Sequence, residues 1–171
     1  MNTEDKELLL KDLCARLQYS VNGKVYAEVT NGQYDMNGEM IFYDAPFDVI
    51  LDGINTSTEE IHVVAIGNED TVDFIEMQQT DGEPYTIDEF KPYLRPMSSM
   101  TVDEEYEYHK HKNIDYLEIC EMEHVEILKT TALCFSRATD WLNKKGFDYR
   151  GLIPMGLALE APEGMYDSNK K

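Results

Sequence analysis

Five Asn-Gly or Asp-Gly dipeptides within residues 22–82 constrain the fold of this chain more than any other feature. They stand at Asn22-Gly23, Asn31-Gly32, Asn37-Gly38, Asp52-Gly53 and Asp81-Gly82. Both residues of such a pair tolerate a positive φ, so the pairs favour tight hairpin turns. Runs rich in β-branched and aromatic residues lie near them and predict short strands over Lys24–Thr30, Glu39–Tyr43, Phe47–Leu51, Glu60–Ile66 and Thr71–Met77.

Helical patterns flank this β region. Leucines recur at helical spacing over Thr3–Leu17, and Thr3 is the predicted cap of that helix. Pro92 and Pro96 bracket three residues of the connector Thr86–Met100, so we predict no regular helix there. Thr101 and Glu104 then fit a capping box, so a second helix begins there.

A last helical pattern runs from Glu121 to Leu142, and Gly146 is placed to end it. We therefore predict an α+β fold, with a small twisted antiparallel sheet or an SH3-like barrel flanked by an N-terminal helix and C-terminal helices. We favour the barrel because closure removes exposed strand edges.

The length of 171 residues predicts a single domain. Residues 1–19 are its predicted first helix, residues 20–90 an acidic β region, and residues 91–171 the connector, helices and an irregular tail. The predicted core comprises Leu9, Leu13, Leu17, Val25, Val29, Ile41, Val49, Val63, Ile66, Phe74, Leu128, Phe135, Trp141 and Leu142.

Negative charge is concentrated in the β region. Residues 25–90 hold 16 carboxylates and neither Lys nor Arg, in a chain of net charge −19. This balance excludes a basic nucleic-acid-coating protein and adhesion to an anionic membrane. One interpretation is a solvated surface. The other is a surface that binds a basic protein, or in a stricter form mimics nucleic acid.

For the binding interpretation we predict a basic protein surface as the partner, with no direct nucleic-acid binding and no membrane binding. The oligomeric state stays open. The candidate partner-binding residues are Glu28, Asp35, Glu39, Asp44, Asp48, Asp52, Glu59 and Glu60.

The three cysteines are odd in number and widely spaced, which does not indicate a disulfide framework. We expect Cys14, Cys120 and Cys134 to be reduced and buried in a cytoplasmic protein, since the N-terminal residues resemble no export signal.

Motifs for metal binding or catalysis are weak. Asp35–Glu39 resembles half of a calcium loop, but Asn37-Gly38 fits a hairpin turn better. The metal-ligand types His109, His111, Cys120 and His124 lack the spacing of a zinc site. There is no Gly-x-Ser-x-Gly motif and no phosphate loop. We therefore predict no catalytic residue, metal or cofactor, and keep a small enzyme or metal protein with an unfamiliar site as an alternative.

Several strings in this chain are similar to segments of one group of proteins. They are Lys6–Leu17, Phe90–Thr101, Asp140–Asn143, Phe147–Ile153 and Gly156–Pro162. These strings resemble uncharacterised small proteins of gut anaerobes and of their phages or mobile elements. The resemblance implies a phage or mobile-element setting, and it carries over no activity and no site residue.

Overall fold

The computed structural model describes residues 1–67, 71, 85–113 and 124–166. Its helices are α1 (Thr3–Arg16), α2 (Val102–Lys112) and α3 (His124–Lys144). Its strands are β1 (Asn22–Tyr34), β2 (Met40–Asn55), β3 (Glu60–Ala65), β4 (Phe90–Leu94) and β5 (Leu159–Glu160). Short 3-10 turns cover Leu17–Tyr19 and Met97–Ser99. The predicted strand Thr71–Met77 lies, apart from Thr71, outside the described residues.

The strands form one mixed sheet in the order β3-β2-β1-β4-β5. Neighbours pair antiparallel except β4 and β5, which are parallel. The α+β class is confirmed, but the favoured barrel is wrong because the sheet is open. Leu9 and Leu13 of α1 cover its apolar face and are fully buried there. The sheet therefore buries this face without closing on itself.

The Asn-Gly and Asp-Gly dipeptides mark irregularities within strands as well as turns. Of the Asn-Gly and Asp-Gly dipeptides in the described residues, only Asn37-Gly38 forms a hairpin turn. Gly32 and Gly53 lie inside strands at the shifts of register in β1 and β2, where a bulge needs an adaptable residue. The predicted strands Glu39–Tyr43 and Phe47–Leu51 are, apart from Glu39, parts of the single long strand β2.

The predicted connector contains strand β4, which we did not predict from the sequence, and no helix forms between Pro92 and Pro96. Pro92 stands opposite Gly23 as the last residue of β4 that pairs with β1. Proline has no amide proton to donate, which suits the end of a ladder. A Cβ atom on Gly23 would overlap the ring of Phe90, so the close approach of the two strands requires glycine.

The largest hydrophobic cluster lies between α1, the sheet and the C-terminal segment, and a second one surrounds Trp141 and Phe147. Of the predicted core, Leu9, Leu13, Val25, Val49, Val63, Trp141 and Leu142 are buried, while Leu17 and Val29 are partly buried. The prediction is wrong for four residues that are 42–59% exposed: Ile41, Ile66, Leu128 and Phe135. Phe74 lies outside the described residues.

Helix boundaries follow local signals. Asn2, rather than the predicted Thr3, caps α1 by accepting a hydrogen bond from the amide of Asp5. Thr101 and Glu104 form the predicted capping box at the start of α2. Gly146 has a φ of 74° just beyond α3, the left-handed conformation that glycine adopts without strain.

A buried ion cluster joins α1 to the C-terminal segment. The carboxylate of Asp12 accepts hydrogen bonds from Arg16 at 2.6 and 3.1 Å and from Arg150 at 3.0 Å. Arg16 also donates to the carbonyl of Phe147 at 2.7 Å. Asp12 and Arg16 are almost completely buried, so each charge depends on the other. No helix in the described part of the chain is long and apolar enough to cross a bilayer.

Candidate partner-binding surface

Strands β1 and β2 form a long antiparallel hairpin with two different faces near the body. Val25 and Ala27 of β1 and Val49 and Leu51 of β2 are buried against the core. Residues of the opposite parity point to the other side of the sheet. A sheet that is covered on one face shows this alternation, so every second side chain of each strand points to the uncovered outer face.

Farther from the hydrophobic core, neither face of the same hairpin is covered by a described element. Ile41, Phe42 and Tyr43 are consecutive in β2 and are 42%, 52% and 50% exposed. Consecutive strand residues point to opposite faces, so no described element covers either face at this level. We call residues 28–45 the hairpin arm. Seven residues of extended strand, such as 28–34, span about 23 Å.

The outer face of the arm combines carboxylates with aromatic rings. Glu28 stands directly opposite Asp44, and Thr30 opposite Phe42. Just below them, Tyr26 pairs with Pro46 and is 42% exposed. Acidic and aromatic side chains therefore alternate along this face.

The loop at the tip of the arm is fixed by Asp35. Its carboxylate accepts hydrogen bonds from the amides of Asn37 and Glu39, each at 2.8 Å, and from the Asn37 side chain at 3.1 Å. The amide of Glu39 contributes most to holding the pKa of Asp35 below its ordinary value. Asp35 keeps its negative charge and also closes the loop, and both Asp35 and Glu39 are exposed. The predicted turn at Asn37-Gly38 is confirmed.

Two of the other candidate acids have positive partners within the chain. Glu59 lies 3.2 Å from the ammonium group of Lys6, which also contacts Asp88. Asp48 lies 3.8 Å from the ammonium group of Lys24 and accepts a hydrogen bond from the hydroxyl of Tyr93 at 2.8 Å. Their negative charges are therefore partly compensated by cations that precede residues 25–90 in the sequence.

The last two candidate acids lie away from the arm. Asp52 is exposed beside the bulge in β2. Glu60 begins β3 and accepts a hydrogen bond from the hydroxyl of Thr58 at 2.6 Å. The eight predicted residues thus do not form one continuous surface. Four of them lie on the hairpin arm as two separate pairs, with Glu28 opposite Asp44 and with Asp35 beside Glu39 at the tip.

Sequence reasoning missed the apolar part of this surface. Met40-Ile41-Phe42-Tyr43 is an uninterrupted apolar run, and we assigned Ile41 to the core. Such a run usually indicates a strand buried on both faces. Here the run extends beyond the core. The acids on either side of it, Glu39 and Asp44, are the only signal in the sequence that the run is exposed.

Candidate metal ligands do not form a site in the described residues. No group of three or more His, Cys, Asp or Glu side chains is arranged there to hold a metal ion. His109 lies 3.9 Å from Glu105, and His111 lies beside Trp141. Cys120 and the side chain of His124 fall outside what the structure describes. The expectation of buried thiols holds for Cys134 and is wrong for Cys14, which is exposed.

Comparisons of the chain with protein-family models, with curated proteins and with solved structures found no match.

Proposed function

We propose that this chain is an interaction protein whose hairpin arm binds a basic, partly apolar surface on another protein and modulates that partner. One observation carries the proposal. Phe42 and Tyr43 are half exposed on opposite faces of an arm that holds Glu28 and Asp44 and contains neither Lys nor Arg. Exposed aromatic rings do not help to keep a surface solvated, whereas aromatic residues are enriched in protein interfaces.

The two kinds of side chain have separate roles in this proposal. The carboxylates attract a basic partner over a distance, which raises the rate of association and makes it sensitive to salt. The aromatic rings supply affinity once they are buried. Removing a central aromatic anchor typically costs about 2 kcal/mol or more, so we expect Phe42→Ala to weaken binding about thirtyfold.

Mimicry of nucleic acid is less well supported than ordinary protein binding. Glu28 and Asp44 face each other, and the next carboxylate on that face of β2, Asp48, is four residues further along. Four residues of strand span about 13 Å. Phosphates in one DNA strand follow one another every 3.4 Å or so along the helix axis. The carboxylates on this face are too sparse to reproduce that density.

We further propose that the partner is a host protein and that the chain belongs to a phage or mobile element. The resemblance of the segments Lys6–Leu17 and Phe90–Thr101 to proteins of that setting supports this part of the proposal.

Site-specific photo-crosslinking tests the proposal. A photoreactive phenylalanine analogue replaces Phe42 in one variant and Val102 in the control. Val102 is an equally apolar position, 82% exposed on α2. In host lysate at low salt, we expect a discrete crosslinked protein from position 42 and not from position 102. Adding Glu28→Gln and Asp44→Asn to the position 42 variant should abolish the product.

A matched pair of substitutions distinguishes local charge from total charge. Glu59→Gln with Glu60→Gln removes the same number of charges where the chain enters β3, away from the hairpin arm, and we expect it to leave the crosslink intact. Equal losses from both pairs, or a crosslink at position 42 that is unaffected by molar salt, would contradict the proposed role of the arm.

A further inference from the structure

An open cavity of about 500 Å³ lies between the 3-10 turn Leu17–Tyr19, α2 and α3. No residue of the hairpin arm contributes to it. Its walls are two aromatic rings, an imidazole, two cations and one carboxylate: Tyr19, Trp141, His111, Arg137, Lys144 and Asp140. The volume falls within the range of cavities that bind small molecules.

Of the four arginines of the chain, Arg137 in this cavity is the one that forms no ion pair with a described residue. Although the chain has 34 acidic and 15 basic residues, neither Arg137 nor Lys144 forms an ion pair with any described residue. Lys144 lies in the last turn of α3, where a cation stabilises the helix end. That explanation does not extend to Arg137, which lies seven residues earlier and about 10 Å away along the axis.

Aromatic side chains of fixed position form the wall between these cations. Trp141 is 8% exposed and stacks on Phe147 at 5.8 Å between ring centroids, so only a small part of its side chain can face the cavity. The ring of His111 lies 6.2 Å from that of Trp141. Tyr19 is half-buried across the cavity, and burial, followed by the charge of Asp140, raises its pKa. Its hydroxyl therefore stays protonated and able to donate.

We propose that this cavity binds a nucleoside monophosphate, with the phosphate on Arg137 and the base against Tyr19 and the exposed part of Trp141. A guanidinium group matches a phosphate through two parallel hydrogen bonds, and Lys144 adds positive charge. Asp140 is placed to accept a hydrogen bond from a ribose hydroxyl. A ligand that carries an anion, a planar ring and hydroxyl donors uses each of these groups, whereas a simple anion uses only the cations.

Fluorescence titration tests this proposal directly, because Trp141 is the only tryptophan of the chain. The probes are adenosine monophosphate, adenosine and inorganic phosphate, each added to the full chain. We expect saturable quenching by adenosine monophosphate in the micromolar to low millimolar range. Adenosine and phosphate should each bind at least about tenfold more weakly, since each lacks half of the contacts.

Two variants complete the test. Arg137→Gln should weaken binding of adenosine monophosphate about tenfold or more, because it removes the charged hydrogen bonds to the phosphate. Lys129→Gln removes a charge from an exposed position on the same helix and should leave binding unchanged. Equal losses in the two variants, equal binding of phosphate and adenosine monophosphate, or no quenching at millimolar nucleotide would each overturn the proposal.

Discussion

The ion pair between Arg95 and Glu104 provides a quantitative test of the fold. Arg95 donates to both oxygens of Glu104, at 2.8 and 2.9 Å, and so ties β4 and its following turn to the start of α2. These bonds, assisted by the amide of Thr101, lower the pKa of Glu104 from 4.5 to about 2. The substitution Glu104→Gln removes the charge but keeps a side chain that can form the capping box.

The size of the effect follows from the shift in pKa. One pKa unit corresponds to about 1.4 kcal/mol, so the shift sets an upper bound of about 3 kcal/mol. Both side chains are 16–18% exposed, and solvent screens the interaction. We therefore expect Glu104→Gln to lower the free energy of unfolding by about 1–2 kcal/mol at neutral pH.

The pH dependence has a defined sign. A carboxyl group whose pKa is lowered by folding stabilises the protein fully above its unfolded-state pKa of 4.5. The stabilisation is lost as the pH falls through about 2, the pKa in the folded protein. The difference between the wild type and Glu104→Gln should therefore be largest near neutral pH and largely disappear near that lower pKa.

Urea unfolding followed by Trp141 fluorescence measures this difference. Trp141 is a suitable reporter because it stacks on Phe147, and the guanidinium of Arg95 lies 4.2 Å from the centre of that ring. Glu107→Gln, at an exposed position of α2, is the control and should change stability by less than about 0.5 kcal/mol. The reasoning is refuted if Glu104→Gln matches this control at neutral pH, or if its cost is the same in acid.

Two further predictions concern buried and strained positions. Asp12→Ala leaves the charge of Arg16 buried without its carboxylate partner. We therefore expect urea unfolding to show a free energy of unfolding lower by about 3–5 kcal/mol, and a decrease below about 1 kcal/mol would contradict the account of the ion cluster. Gly146→Ala should lower the melting temperature more than Gly38→Ala. Both residues have a positive φ, but only at Gly146 would the new Cβ atom overlap the ring of Tyr166, and equal shifts would exclude that contribution.

The candidate surface was only partly predictable. The acidic composition of residues 25–90 predicted a negatively charged β region, and four of the eight candidate acids lie on the hairpin arm as two separate pairs. The sequence does not indicate that Lys6 pairs with Glu59, because these residues are 53 positions apart and meet only when α1 lies on the sheet. We also assigned Ile41 to the core, because a run of apolar residues looks the same in the sequence whether the strand is buried or exposed.

Local signals alone determined the capping box at Thr101, the end of α3 before Gly146 and the turn at Asn37-Gly38, because each depends on contacts between residues at most four positions apart. Tertiary structure decided that β4 forms in the connector and that the sheet stays open. Strand pairing is a contact between distant segments, and β4 exists because Gly23 leaves space for Phe90, 67 positions later in the chain.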